Sequence, residues 1–167
     1  IPASVTAISP FSFVGCGSLM ELEVDAANTA YSSEAGVLFD QNKSKLVWYP
    51  AGKRDATYSI PDTVKTIGAN AFYQCWNLTE MTLPENVVEI ESFAFTGCRG
   101  LTRLVLPENL SAVGMGAFDN CTSLSEVTIP GTLSQISSGL FGGCAGLQTV
   151  TISEGVQKLG GLAFSGC

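Results

Sequence analysis

Hydrophobic and polar positions recur along this chain with a period of 23 residues. The clearest mark of the period is a phenylalanine followed three residues later by a cysteine. A full unit reads approximately IPxxVxxIGxxAFxxCxxLxxVxL. Because a unit of this size is too small to bury its own apolar face, the copies are expected to stack into a solenoid. Cys16 stands apart in matching surroundings, and the cysteines spaced by one period are Cys75, Cys98, Cys121, Cys144 and Cys167.

Each unit predicts the same short elements. Its last segment, LxxVxL, alternates apolar and polar residues, which is typical of a β-strand, and stacked copies would form a parallel sheet on one face. The proline that usually follows ends the strand, because proline cannot donate a backbone hydrogen bond. The VxxI segment then runs back across the other side. Phe72 and Cys75 have the spacing of one helical or 3₁₀ turn. Glycine recurs at one position of the unit, in Gly68, Gly114 and Gly160, which indicates a backbone turn.

The units account for residues 1–167 as a single solenoid domain. Two apolar stretches in the enlarged second unit, 37–39 and 46–49, are separated by polar residues and predict a β-hairpin insert. Insertions of this kind map to loops on one face of a solenoid, which is often the binding face. The predicted units are 1–23, 24–59 with the hairpin insert, 60–82, 83–105, 106–128, 129–151 and a partial 152–167.

The repeat resembles the BspA-type leucine-rich repeats found in surface proteins of anaerobic bacteria and some parasitic protists. The likeness rests on the unit written above and on the insert segment 28–39, and it covers essentially the whole chain. It implies a right-handed leucine-rich-repeat solenoid with a parallel β-sheet on its concave face. It also implies export and display at the cell surface, where such proteins often serve adhesion. Because no capping repeat precedes Ile1 and Cys167 stops in mid-unit, we expect the chain to be a piece of a longer protein.

Composition and charge narrow the classes of function. Of the 167 residues, 46% are apolar and 14% are charged, which is typical of a folded domain. Lysine and arginine number 8 against 15 aspartate and glutamate, for a net charge of −7. This balance argues against nucleic acid or an anionic lipid surface as the partner. No apolar run reaches the roughly 18 residues that a membrane span needs.

The sequence offers little for catalysis. It contains no histidine and no glycine-rich phosphate loop. We therefore predict no enzyme activity, no catalytic residue, no cofactor and no metal site. Every cysteine holds the same place in its unit, where a small apolar side chain would line the interior, so free thiols are favoured over disulfides. The phenylalanines are likewise predicted to pack inside.

The outward side of the predicted parallel sheet is the first candidate binding face. Its polar positions form a regular array with a mildly acidic strip, in which Arg103 interrupts the column of Glu21, Glu80 and Glu126. One interpretation is contact with a protein or a glycan, as solenoid faces commonly make. The alternative is solvated sheet surface, where threonine serves strand propensity. The candidate residues are Glu21, Glu23, Glu80, Thr82, Arg103, Glu126, Thr128, Thr149 and Thr151.

Aromatic residues of the insert are the second candidate. Tyr31, Trp48, Tyr49 and Tyr58 fall close together in the sequence, and tyrosine and tryptophan are enriched at interface hot spots. The alternative, which we favour, is that these rings cover the joint between the hairpin and the solenoid.

Three hypotheses about function remain open. The first is an extracellular module that binds a protein or glycan on the cell exterior through the sheet or the insert, with no nucleic-acid partner and no membrane insertion. The second is a structural spacer that displays another domain and has no ligand of its own. The third is assembly through the solenoid ends, since open ends expose core residues.

Overall fold

The computed structural model describes residues 1–167, which stack as the parallel-sheet solenoid that the repeat predicts. All regular elements are short strands joined by turns. The chain has no helix that could cross a membrane. The strands are β1 Tyr31–Glu34, β2 Val37–Asp40, β3 Lys45–Trp48, β4 Thr66–Ile67, β5 Glu80–Thr82, β6 Glu89–Ile90, β7 Arg103–Val105, β8 Ala112–Val113, β9 Glu126–Ile129, β10 Gln135–Ile136, β11 Thr149–Ile152 and β12 Lys158–Leu159.

The LxxVxL segments form the predicted parallel strands. β5 pairs with β7, and β9 pairs with β11, each shifted by one period, so Glu80 lies beside Arg103 and Glu126 beside Thr149. Thr57, in the enlarged unit, makes a parallel bridge to Glu80. Successive side chains of a strand point to opposite faces, which buries one residue and exposes the next. We call the outward side chains of β5, β7, β9 and β11 the strand face.

A second parallel sheet is built from the VxxI segments, for which the sequence predicted only a returning chain. β4, β6 and β8 are hydrogen-bonded in that order, and β10 pairs with β12. Each strand has only two residues, as in β6, where Ile90 is buried and Glu89 is exposed. An alternation that lasts for two residues cannot be recognised in a sequence, which explains why this sheet was missed.

The predicted hairpin is present as the antiparallel pair β2 and β3. β1 adds a third, antiparallel strand that was not predicted. β3 then pairs in parallel with β4, with Lys45 beside Thr66. The insert therefore extends the second sheet. Its apolar residues Val37, Leu38 and Phe39 are fully buried, so the hairpin belongs to the core and is not a free loop.

Stacked aromatic rings run through the centre of the core. Phe72, Phe95, Phe118 and Phe141 are fully buried, and the centroids of neighbouring rings lie 4.8–5.2 Å apart. Tyr49 continues the stack at the insert end, 5.2 Å from Phe72. The predicted interior role of the phenylalanines is therefore confirmed for the inner units. Burial of these large rings is a major favourable contribution to folding.

The segment from phenylalanine to cysteine forms a turn, not a helical element. The backbone N–H of Cys75 donates to the carbonyl of Phe72 at 3.2 Å, which brings both side chains to the same side as predicted. The N–H of Phe72 itself donates to Ala94 O of the next unit at 2.7 Å. Because this N–H is used between units, it is not available for a bond within a helix.

The six cysteines are free thiols, and their environments divide into two groups. In the inner units each thiol donates to the carbonyl of the aromatic residue stacked in the preceding unit: Cys98 Sγ donates to Phe72 O at 3.0 Å, and Cys75 Sγ to Tyr49 O at 3.8 Å. Cys16 and Cys167 are exposed, which corrects the expectation that all six line the interior. Cys167 nevertheless donates to Phe141 O at 3.3 Å, as the inner thiols do to their carbonyls. The buried thiols are Cys75, Cys98, Cys121 and Cys144.

The shared glycine position reflects close packing between units, not the turn conformation that was predicted. A Cβ on Gly114 would lie 2.3 Å from the backbone N of Ser92, and one on Gly160 would lie 2.5 Å from that of Ser138. Neither glycine has a positive φ. The backbone of the preceding unit therefore occupies the space that a side chain would need.

Candidate binding surface

The strand face carries most of the predicted binding residues. Within each strand they alternate with buried apolar residues, so the pleat of the strand alone directs them to the solvent. They are all exposed, and the structure brings them together on one side of the solenoid. These residues are Glu80, Thr82, Arg103, Glu126, Thr128, Thr149 and Thr151.

The charged groups of the strand face make no ion pairs. The three ion pairs of the chain, Lys43–Glu34, Lys45–Glu91 and Lys53–Asp55, all lie elsewhere. Arg103 lies in the column between Glu80 and Glu126, and the strands of successive units are about 4.8 Å apart. The face therefore offers carboxylates and one guanidinium whose hydrogen-bonding capacity is not used within the protein.

Two open grooves run along the strand face. One has a volume of about 360 Å³ and is lined by side chains that include Arg103, Glu126 and Thr149. The other, about 350 Å³, lies toward the insert and is lined by Thr57 and Glu80 among others. A binding surface needs concave places for partner side chains, and the grooves supply them beside the unpaired charges.

Glu21 and Glu23 do not join this array, although the sequence placed Glu21 in one column with Glu80. The N–H of Leu22 donates to Gly36 O at 2.9 Å, which sets Glu21 against the turn between β1 and β2. The neighbour of Glu80 is instead Thr57. The insert thus interrupts the predicted column of three glutamates.

The aromatic residues of the insert do not form an exposed patch. Trp48 is 3% exposed and Tyr49 is 1% exposed, and both are packed against other rings. Tyr31 is half-buried, and its hydroxyl accepts the N–H of Ile8 at 2.9 Å. Tyr58 is half-buried beside Tyr49, with ring centroids 4.9 Å apart. This placement corrects the hypothesis of a binding patch and agrees with the alternative that the rings cover the joint.

Both tyrosines at the joint keep their protons at neutral pH. Burial, followed by a hydrogen bond from the Tyr49 hydroxyl to Asp55, raises the pKa of Tyr49 well above its usual range; the O–O distance is 3.0 Å. Burial and then the Glu34 carboxylate raise the pKa of Tyr58 to about 12. Tyr49 therefore contributes packing and one hydrogen bond at the joint, and Tyr58 packs beside it.

Two exposed aromatic residues, Phe11 and Trp76, were missed by the sequence reasoning. Trp76 is 56% exposed, in the loop that precedes β5. The signal was available, because Trp76 follows the cysteine of its unit directly. The matching position in other units is small, polar or charged, as in Gly17, Arg99, Thr122 and Ala145.

No cluster of Cys, Asp or Glu side chains in the structure is arranged to hold a metal ion.

A family model, BspA type leucine-rich repeat region, matches six copies of the repeat over residues 55–167. The chain belongs to this leucine-rich repeat family. Residues 1–54, which include the first unit and the hairpin, lie outside that match. Comparison with the curated proteins finds no match.

Solved structures similar to this BspA-type domain include the preceding residues as well. A leucine-rich cell surface protein from Faecalibacterium prausnitzii A2-165 is 30% identical with a TM-score of 0.92, over 100% of this chain and 44% of that one. A leucine-rich repeat protein from Eubacterium ventriosum is 26% identical with a TM-score of 0.80, over 99% of this chain and 57% of that one. The pneumococcal vaccine antigen PcpA, 21% identical with a TM-score of 0.73 over 95% of this chain and 43% of its own, shares the fold.

The BspA-type chain thus spans 57% of the Eubacterium protein and 44% of the Faecalibacterium protein. It is a leucine-rich repeat domain, a kind of scaffold that generally mediates protein–protein interactions.

Proposed function

We propose that this chain is an extracellular module that binds a protein partner through the strand face. The observation that carries the proposal is the column of Glu80, Arg103 and Glu126, which are spaced by one period, exposed and free of ion pairs. Two short sheets carry these groups, β5 with β7 for Glu80 and Arg103 and β9 with β11 for Glu126. Because the backbone of this surface is already ordered, little backbone freedom is lost when a partner with complementary charges binds. The unpaired groups and the adjoining grooves favour binding over a solvated surface without a role.

The charge of the strand face indicates the chemistry of the partner. Glutamates outnumber the single Arg103 on this face, and the net charge of the chain is −7. A partner surface with lysine or arginine opposite the glutamates, and a carboxylate opposite Arg103, would be attracted at long range and oriented at contact. The proposal therefore commits to a protein with a basic, mixed-charge surface, and a glycan is an alternative that the experiment separates.

Location outside the cell is supported by a structurally similar protein. The similar protein from Faecalibacterium prausnitzii is described as a cell surface protein. Within this proposal the chain binds and does not catalyse; it has no histidine that could act as the base for a hydroxyl or thiol nucleophile.

Charge reversal on the strand face tests the proposal. Purified chain is applied at physiological salt to an array of extracellular matrix proteins and polysaccharides, together with Glu80→Lys/Glu126→Lys. The matched control is Glu89→Lys/Glu154→Lys, which makes the same change in net charge at exposed residues that line neither groove of the strand face. We expect a protein hit whose affinity the first variant lowers about tenfold or more, or about 1.4 kcal/mol, and the control leaves unchanged.

Two outcomes contradict the proposal. Equal loss in both variants would mean that only overall charge matters, and a hit confined to polysaccharides would replace the protein partner with a glycan. If the folded chain binds nothing on the array, the spacer function is favoured instead.

The spacer function has support of its own. Every inner unit is joined to the next by the same backbone hydrogen bonds, as from Phe95 N to Ala117 O and from Phe118 N to Leu140 O, so the length of the solenoid follows the number of units.

A further inference from the structure

A second surface, away from the strand face, combines exposed apolar side chains with unpaired cations. It is an open depression of about 620 Å³, between the first unit, the end of the insert and the loop before β5. Met20, Arg54 and Trp76 line it over a floor of small residues that includes Gly17 and Gly52. We call Met20, Arg54, Trp76 and the neighbouring Arg99 the Trp76 edge.

Both apolar residues of the Trp76 edge are largely exposed. Trp76 is 56% exposed and Met20 is 58% exposed, although the protein buries its other tryptophan, Trp48, to 3% exposure. Large apolar side chains that lie together on a surface mark interaction sites, whereas single ones are ordinary. The two side chains here line the same depression.

Two arginines flank the indole. Arg54 lines the depression with Trp76, and Arg99 holds the same position as Trp76 one unit later. The residue after it, Gly100, is packed against the Trp76 backbone, since an added Cβ would lie 2.2 Å from Trp76 O. Neither arginine takes part in an ion pair. Lys53, also nearby, is engaged with Ala35 O and Asp55.

We propose that the Trp76 edge binds a peptide segment of a protein partner that carries both carboxylates and apolar side chains. Each guanidinium presents a planar fork of donors that matches a carboxylate, and Trp76 with Met20 offers apolar contact between the two forks. Tryptophan, methionine and arginine are the residue types enriched at the centres of protein interfaces. In a chain of net charge −7 this cationic edge also contrasts with the acidic strand face, so it selects a partner surface of the opposite sign.

A protein is favoured over an acidic glycan as the occupant. A partner that recognised only charge would need the arginines and not the exposed Met20, whose thioether side chain suits aliphatic or aromatic contact. The class of domain is also one that generally mediates protein–protein interaction. The two proposals are independent, because the strand-face variants leave the Trp76 edge unchanged.

Fluorescence of the two tryptophans supplies a direct test. Trp48 is buried, so neutral acrylamide quenches mainly Trp76 in the folded chain. The probes are short peptides of alternating Asp and Leu, Asp and Ser, or Lys and Leu, and oligogalacturonate as the acidic glycan. We expect the Asp–Leu peptide to protect Trp76 from quenching and the other probes to protect it at least about tenfold less well, a difference of about 1.4 kcal/mol.

Charge-reversal variants fix the location. Arg54→Glu/Arg99→Glu keeps both tryptophans and should lose the protection about tenfold or more. Lys65→Glu/Lys158→Glu makes the same change in net charge at exposed lysines elsewhere and should keep it. Glu80→Lys/Glu126→Lys should also keep it, which separates this proposal from the one for the strand face. Absence of protection by the Asp–Leu peptide, equal loss in the lysine variant, or equal protection by oligogalacturonate would each overturn the proposal.

Discussion

Each inner cysteine fills a small apolar space and also gives a hydrogen bond to a backbone carbonyl. Cys98 is 1% exposed, and its Sγ lies 3.0 Å from Phe72 O. Burial raises the pKa of Cys98 from 9.0 to about 12, although a hydrogen bond with the backbone of Cys75 partly lowers this pKa. The thiol is therefore a structural group that stays protonated and unreactive while the chain is folded.

The raised pKa of Cys98 makes the folded state less stable in alkaline solution. The unfolded chain loses this proton near pH 9 and the folded chain near pH 12, so stability is complete below pH 9 and falls between these values. The loss is about 1.4 kcal/mol per pH unit for this one thiol. We expect Cys98→Ala to be less stable than wild type at neutral pH but to have a shallower decline, measured by urea denaturation over the alkaline range.

Cys16→Ala is the matched control for this measurement, because Cys16 is exposed. Its alkaline decline should equal that of wild type, since tyrosine and lysine titrations are common to all three proteins. Equal slopes for Cys98→Ala and wild type would show that the thiol ionises as readily in the folded chain as in the unfolded one.

At the level of elements, the length of a pattern decided what the sequence could predict. β5, β7, β9 and β11 alternate over several residues and recur by one period, and the parallel strands were predicted correctly. The two-residue strands of the second sheet have no such pattern. β1, with the sequence YSSE, lacks apolar alternation and forms because β2 lies beside it, which only the fold can reveal. For the same reason Tyr49 could not be recognised as part of the core from its residue type.

Glycine at the unit-to-unit contact gives a prediction for the second sheet. Gly114→Ala places a Cβ 2.3 Å from the backbone N of Ser92, and a backbone cannot move aside as a flexible side chain can. We expect a loss of about 1–3 kcal/mol in the free energy of unfolding, measured by urea denaturation. Gly161→Ala is the control, because its added Cβ meets nothing within 4 Å. Similar effects of the two substitutions would mean that helix or strand propensity, not contact between units, governs this position.

At the level of the whole molecule, most bonds join a unit to its direct neighbours. Exceptions lie at the insert end, where the Lys45–Glu91 ion pair passes over one unit. Stability in such a stack is close to a sum of unit and interface contributions, and no contact spans the full length. The hairpin fits this description as well, since β3 stands in the second sheet where a preceding unit would place a strand. The chain therefore behaves as a linear array of similar repeat units, and one unit can be removed without a change in the solenoid fold.

Removal of one inner unit tests this description. Deletion of 83–105 joins 82 to 106 and brings like residues together, for example Phe72 with Phe118 and Cys75 with Cys121. We expect a folded, less stable chain whose solenoid is shorter by about 4.8 Å, measured by circular dichroism and small-angle X-ray scattering. Deletion of 83–94 removes about half a unit, breaks the register and should prevent folding of the units that follow. A folded product of the half-unit deletion would contradict the register argument.

The row of buried thiols also requires that the units stack before the cysteines are oxidised. Once stacked, the inner cysteines point to carbonyls of the previous unit and are shielded from oxidants, whereas before stacking all six are accessible and can pair in any combination. In an oxidising compartment, folding and thiol oxidation are therefore in competition. Correct maturation depends on the first being faster, so the chain would gain from a reductant or a chaperone at that step and need neither afterwards.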